Sequence, residues 1–371
     1  MILMNPGPAN TTATVKQALV CEDICPREKP FGELIERVRN RLTEVVHRGG
    51  DFTAVLLSGS GTAAVEAAIA SAIPARGRLL VIDNGAYGAR MAEIASAYRI
   101  SHDVLSFGVG EWPEPDRVRR RLSEERYSHV AVVHHETTTG MLNPVENIAR
   151  LAHETGALAI VDAMSSFAGV PIDIEALGAD FLVSSSNKCI QGMAGISFVI
   201  ARRSTLDDLR SISGRSYYLD LGAQHRFFED THQMRFTPPV QILYALDRAI
   251  EEFFEEGQEG RWQRYQACFE VLDAGVRRIG FERLLPDRML SKILTAYLEP
   301  DHPRYSYDAL HDTLLAAGYT IYPGKGAKRA TFRLANMGAI SPRDMTGFVE
   351  ALELSVRARG LLPLYSSRES R

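Results

Sequence analysis

The chain has few cysteines, no long uncharged run and no surplus of either charge, and each shortage closes off a class of function. Four cysteines, Cys21, Cys25, Cys189 and Cys268, in 371 residues do not make a disulfide framework, so a reducing compartment is expected. No uncharged stretch reaches the ~20 residues that cross a bilayer, and the opening Met1-Ile2-Leu3-Met4-Asn5-Pro6 lacks the basic and long apolar regions of an export signal. A soluble, cytoplasmic protein is the expectation, with no membrane partner. The 42 basic side chains against 46 acidic ones leave a formal net charge of −4, which argues against nucleic-acid binding and for a small-molecule partner. Internal repeats and low-complexity tracts are absent. Metal binding is not expected either. His134-His135-Glu136 lacks the His-Glu-x-x-His spacing, and adjacent strand residues point to opposite faces.

What is present is an alternation of apolar runs and helical periodicity. After an arm too rich in proline and glycine for regular structure (Asn5-Pro6-Gly7-Pro8), helical spacing runs from Phe31 to about Val46. Strands are expected at Thr53–Leu57, Arg78–Ile82, Ile100–Ser106, Val130–His134, Ala157–Asp162 and Phe181–Lys188, with helices at Thr62–Ile73, Ala89–Tyr98, Asp116–Glu125 and Val145–Thr155 between them. Strands apolar throughout and joined by helices imply an α/β fold with a mostly parallel sheet covered on both faces. Near Pro238 the pattern changes. Two long helices, Val240–Glu256 and Arg261–Ile279, lead to a strand at Lys292–Leu298, a helix at Tyr307–Ala317, strands at Tyr319–Tyr322 and Ala330–Ala335, and a last helix from Pro342 to about Arg359, which together read as a smaller C-terminal α+β domain. The expected division is an arm over 1–15, a large domain over 16–255, a small one over 256–364 and a frayed tail at 365–371.

Chemistry concentrates at the carboxyl ends of the strands, where parallel sheets bind ligands. Asp162 and Lys188 end successive apolar runs, which brings a carboxylate and a primary amine to one crevice. Pyridoxal phosphate needs both, a carboxylate facing its ring nitrogen and a lysine to hold its aldehyde as a Schiff base. Taken singly, Asp162 could be a strand-end cap and Lys188 a solvated loop residue. Ser58-Gly59-Ser60-Gly61-Thr62 turns a strand into a helix, either as a tight turn only or as a phosphate cup of backbone N–H groups at a helix start. Tyr87, held between Gly85 and Gly88, could lie on a ring or simply pack at a turn. The hydroxyls of Thr137, Thr138 and Thr139 could bond a cofactor oxygen. Arg333 interrupts an apolar strand and needs an anion, which would be a substrate carboxylate or phosphonate, or an internal carboxylate.

These segments resemble one family over nearly the whole length: the class V aminotransferases, pyridoxal-phosphate enzymes of fold type I, and within them the group acting on 2-aminoethylphosphonate. The likeness is carried by Asn5-Pro6-Gly7-Pro8, the run Leu56 to Ala67, the run Asn84 to Arg90, Glu136 to Pro144, Val161 to Phe167, Ser186 to Gly192, Arg235-Phe236-Thr237, Tyr322-Pro323-Gly324-Lys325 and Phe332-Arg333. By that resemblance Lys188, with Asn187 beside it, is the Schiff-base lysine and proton shuttle, and Asp162 keeps the ring nitrogen protonated. Ser60, Gly61 and Thr62 hold the phosphate, Tyr87 stacks on the ring and Thr137 bonds the ring hydroxyl. Thr237 reaches the phosphate in the neighbouring subunit of a homodimer whose sites are shared. Arg333 takes the carboxylate or phosphonate, and Pro6 and Gly7 close over the substrate. The segment Cys21 to Glu28 and the doubled His134-His135 look more like members tied to phosphonate biosynthesis, which makes Arg27 a second anion ligand. The implied reaction moves an amino group between 2-aminoethylphosphonate and pyruvate in ping-pong fashion. An alanine–glyoxylate or serine–pyruvate enzyme is the rival.

Overall fold

Apolar runs of five to seven residues bounded by turns cannot stand alone in water, and a computed structural model stacks them into one seven-stranded sheet. It describes residues 1–212, 214–324, 326–362 and 364. Lys325 of the motif above and the expected frayed tail lie outside the described residues. Across the sheet the order is Phe52–Ser58, Ile196–Arg202, Phe181–Ser185, Leu158–Asp162, His129–Val133, Arg78–Asp83 and Ser101–Ser106. The interior strands His129–Val133 and Phe181–Ser185 are buried along their whole length, and the other three except at one or both ends. The edge strand Ser101–Ser106 is polar and partly exposed, as an edge without a second neighbour should be. All pairings are parallel except those of Ile196–Arg202, which runs against both of its neighbours.

That antiparallel strand has no counterpart in the sequence reading. It arises because only residues 186–195 join it to Phe181–Ser185, too few for a helical crossover, so the chain must double back. The helices Arg203–Asp208 and Leu221–Thr231 that follow it are likewise new. The helix Gly61–Ala72 lies against Phe181–Ser185 and Ile196–Arg202. Alanines at 64, 67, 68, 70 and 72 let its backbone approach the sheet closely.

Of the four apolar clusters among the described residues, two are large. The larger gathers both faces of the sheet and extends to Tyr265, while the second begins with Cys268, Leu272 and Val276 and packs around Phe332, Leu334, Phe348 and Leu352. The helix Gln258–Ile279 serves both, so the passage from one core to the other falls inside it. The expected strand over Tyr319–Tyr322 is two short pieces. Tyr319–Thr320 pairs in parallel with Ile2–Leu3, and Tyr322–Pro323 pairs with Thr331–Ala335, because buried Ile321 turns inward between them. The first residues are thus a strand of the smaller sheet system, and the arm reaches the large core through Ala9, while Val15 of the short helix Ala13–Gln17 packs on Ala245 and Ala249. No helix among the described residues is long and apolar enough to cross a membrane.

The two cores meet at the turn after Glu136. Gly140 has φ +87° and a Cβ built there would lie 2.4 Å from the Leu294 carbonyl oxygen, while its own carbonyl accepts from Ser291 N–H at 2.9 Å. Both the backbone conformation and the backbone-to-backbone approach exclude a side chain. Gly140→Ala is expected to lower unfolding free energy by about 2–3 kcal/mol, measured by urea denaturation. An unchanged midpoint would show that the turn relaxes freely.

Candidate active site

The carboxyl ends of four of these strands border a cavity of about 200 Å³, walled among others by Ser60, Gly61, Thr62, Tyr87, Asp162, Asn187 and Lys188. Its first wall is the turn Ser58 to Thr62. Gly59 donates to the Gly195 carbonyl at 2.9 Å, tying the turn to the antiparallel strand. Ser60 is the N-cap of Gly61–Ala72, yet its side chain makes no capping hydrogen bond, which leaves the hydroxyl and the first helical N–H groups for something in the cavity. Gly61 leaves room for the Met164 side chain, since a Cβ there would sit 2.2 Å from Met164 Sδ.

Asp162 closes its strand with 5% exposure. Met164 N–H donates to its Oδ1 at 2.8 Å, and Oδ2 receives no hydrogen bond from the described residues. Burial pushes the carboxyl up to about 6, against the pull of Met164 N–H, Arg90 and Lys188. Lys188 is half-buried and its Nζ donates to the Pro6 carbonyl at 2.5 Å. Burial lowers the ammonium to about 8, outweighing the attraction of Cys189 and Asp162, while Arg333 and Arg90 add smaller repulsions. The amine is therefore part neutral near pH 8, where an exposed lysine is not. Asn187 accepts from Ser185 Oγ at 2.9 Å, and its carbonyl holds Ala9 N–H at 3.0 Å.

The arm passes directly over the lysine. Gly7 has φ +128°, and a Cβ there would be 2.3 Å from Lys188 Nζ. Thus Pro6 and Gly7 meet Lys188, as the sequence reading expected of a lid. Arg333, on the facing strand of the small sheet, is 2% exposed. Its Nε donates to the Pro323 carbonyl at 3.0 Å and its Nη1 to the Thr137 carbonyl at 3.1 Å. No described carboxylate pairs with it, so the internal salt bridge that would have made Arg333 purely structural is not there.

Among the three threonines the hydroxyls divide. Thr138 Oγ1 donates to Glu136 Oε1 at 2.5 Å and accepts from Ala86 N–H at 3.1 Å, while Thr139 Oγ1 donates to the Glu136 carbonyl at 3.5 Å. Thr137 is buried at 1% exposure, makes no side-chain hydrogen bond to the described residues, and does not wall the cavity. Glu136 had been considered only as a metal ligand. Fully buried, it accepts from Thr138 N–H at 3.1 Å and from Tyr87 N–H at 3.3 Å, and a Cβ on Gly85 would sit 2.3 Å from its carboxyl carbon. It therefore ties the Tyr87 turn to the threonine turn. His134 and His135 are kept neutral by burial, at about 4 and about 3. No cluster of three metal-ligating side chains occurs among the described residues.

Two expected residues lie elsewhere. Arg27 is exposed and spends its guanidinium on the carbonyls of Met234 at 2.6 Å and Arg235 at 3.2 Å and on Gln233 Oε1 at 3.1 Å. Thr237 is exposed on the same loop. Neither walls the cavity of its own chain. Arg90, Ser185, Met164 and Ala194 do, without having been assigned a role. Arg90 could have been found, because it follows Tyr87 by three residues on a helix and so shares its face.

The profile of the family described as Aminotransferase class-V matches residues 13–313. A 2-aminoethylphosphonate–pyruvate transaminase of Syntrophobacter fumaroxidans is 46% identical, with 94% of this chain and 95% of the relative aligned. One from Vibrio vulnificus is 43% identical over 95% and 96%. Among solved structures, an alanine–glyoxylate aminotransferase from Nostoc sp. superimposes with a TM-score of 0.90 at 28% identity, covering 96% of this chain and 95% of that one. The chain belongs to the class V aminotransferases.

The amine of Lys188 gives a direct test of the site's electrostatics. In protein stripped of small molecules, competitive labelling with a small acylating reagent, read by mass spectrometry, should follow the neutral amine. The Lys188 rate should rise with pH and level off above about 8, while exposed lysines keep rising past pH 10. A Lys188 midpoint near that of the exposed lysines would contradict the reading.

Proposed function

We propose that this chain is a 2-aminoethylphosphonate–pyruvate aminotransferase that works with pyridoxal 5′-phosphate as a homodimer in the cytoplasm. The observation that carries the reading is an amine and a buried carboxylate with a spare oxygen in one cleft, with a buried arginine, itself without a carboxylate partner, near enough to act on the amine, in a chain 46% identical to a transaminase of that name. The residues fit the cofactor. Ser60, Gly61 and Thr62 would hold its phosphate, Tyr87 and the wall opposite would flank its ring, Asp162 would face the ring nitrogen and Thr137 the ring hydroxyl, and Lys188 would take its aldehyde. When bound, pyridoxal phosphate supplies a carbonyl that accepts and hands on an amino group, and a ring that takes up electrons left by a departing proton.

The rest is done by the protein. Arg333 binds the carboxylate of alanine or pyruvate with its remaining donors, and takes the phosphonate in the other half-reaction. The shared arginine suits a ping-pong sequence in which the two substrates occupy one place in turn. Lys188 Nζ, free to be neutral near pH 8, removes the proton from the amine-bearing carbon and returns it in the reverse half. Asp162 would be held anionic by a positively charged group at its unbonded Oδ2, which would lower its proton affinity. Pro6 and Gly7 cover Lys188 and keep water from the reacting carbon. Exposed Tyr217 and Tyr218, the latter stacked on Phe236 at 4.9 Å, lie beside Thr237. Such an apolar surface supports a dimer in which Thr237 reaches the partner's phosphate site. Four free cysteines suit the cytoplasm.

The test is an absorbance scan of cofactor-loaded protein given 2-aminoethylphosphonate and no acceptor. The band of the lysine-bound cofactor should give way to that of its aminated form, and pyruvate should reverse the change. A band that only alanine converts would move the protein to the alanine–glyoxylate type that the Nostoc structure represents. Arg333→Gln should lower kcat/KM for both substrates by about 10–100-fold. Lys188→Ala should lower kcat by ~10³-fold or more.

A further inference from the structure

A third cation stands in the cleft, and nothing above uses it. Arg90 walls the cavity next to Ser60, Gly61 and Thr62. It projects from the helix Ala86–Ala97 one turn beyond Tyr87, so the two side chains share a face. Its guanidinium carbon lies 4.9 Å from the centre of the Tyr87 ring, and Nη1 is 3.4 Å from Thr62 Oγ1. These are its contacts among the described residues, and no described carboxylate pairs with it. A guanidinium carries five donors in a planar fork, and one long bond to a neutral hydroxyl leaves most of them unused. Its charge is nevertheless felt deep in the site, where it lowers the proton affinity of both Asp162 and Lys188.

We propose that Arg90 is a binding residue for the phosphate of the cofactor, closing the cup formed by Ser60, Gly61 and Thr62 and setting the Tyr87 ring against the cofactor once that anion is in place. The inference rests on the cofactor reading above and adds a residue to it. The position favours the cofactor's phosphate over a substrate phosphonate, because Arg90 meets Thr62 at the helix start, whereas Arg333 lies on the small-domain side of Lys188. A free guanidinium here also explains why the arginine follows the aromatic by one helical turn. The same group that supplies charge to the anion holds the ring by cation–π contact, so the two tasks are coupled.

The experiment compares two ligands that differ only in the phosphate. Protein stripped of cofactor is titrated with pyridoxal phosphate and with pyridoxal, and equilibrium dissociation constants are read from absorbance. Wild type, Arg90→Met and Arg90→Lys are compared, with melting temperatures of the stripped proteins measured alongside. Arg90→Met is expected to weaken pyridoxal phosphate by about 10–100-fold and to leave pyridoxal unchanged. Arg90→Lys should recover part of the loss, since it keeps the charge but not the fork or the flat contact with Tyr87. Equal weakening of both ligands, or unchanged pyridoxal phosphate binding in both variants, would overturn the proposal. A rise in the KM for 2-aminoethylphosphonate with cofactor affinity intact would assign Arg90 to the substrate phosphonate and overturn it too. If Arg90→Met fails to fold, Arg90→Lys alone decides through the same ratio of the two constants. Wild-type protein that binds no pyridoxal phosphate would instead sink the cofactor reading, and this inference with it.

Discussion

Positive charge held in a cleft without full carboxylate pairing is the constraint on which the rest of the structure turns. Lys188 and Arg90 wall one cavity, Arg333 stands near enough for its charge to act on Lys188, and none forms an ion pair with a described carboxylate. Burying an uncompensated charge is costly, so the fold has to hold each cation with neutral partners. Arg333 rests on the carbonyls of Pro323 and Thr137, Lys188 on the carbonyl of Pro6, and Arg90 on a ring face and a hydroxyl. Asp162 and Glu136 temper the field at longer range. The arrangement is poised for ligands that bring phosphate, carboxylate or phosphonate groups.

Holding three such groups in register takes three separate parts of the chain. The parallel sheet contributes Asp162, Asn187 and Lys188 from neighbouring strand ends, and the helix Gly61–Ala72 adds its uncapped start. The strand Thr331–Ala335 of a separate three-stranded sheet brings Arg333 against the Thr137 carbonyl. The amino-terminal arm stitches them together. Ala335 N–H donates to the Met4 carbonyl at 2.8 Å, Ala9 N–H to the Asn187 carbonyl at 3.0 Å and Ala339 N–H to the Asn10 carbonyl at 2.8 Å. A movement of the small domain would therefore be passed to the segment that covers Lys188.

Much of this was legible before any coordinates. Apolar runs ending in Asp162 and Lys188 say that both side chains sit at the carboxyl edge of a parallel sheet, because burial leaves them no other place. Arg333 could be singled out because a guanidinium inside an apolar strand demands an anion, although only the structure excludes an internal ion pair. The antiparallel strand Ile196–Arg202 escaped notice since its direction is set by the length of a loop, not by its composition. Glu136 was hidden for a different reason. Its importance comes from three donors, Tyr87 N–H, Thr138 N–H and Thr138 Oγ1, that converge only after folding. Arg27 and Thr237 stand exposed on a single chain, and only the family resemblance, not burial or periodicity, singled them out.

The most direct test of the central claim is a crystal structure of the cofactor-loaded protein with 2-aminoethylphosphonate or an unreactive phosphonate analogue. The account requires the cofactor joined to Lys188 with Asp162 at its ring nitrogen, and the phosphonate within hydrogen-bond distance of Arg333. A phosphonate held elsewhere, with Arg333 still bonded only to Pro323 and Thr137, would contradict it.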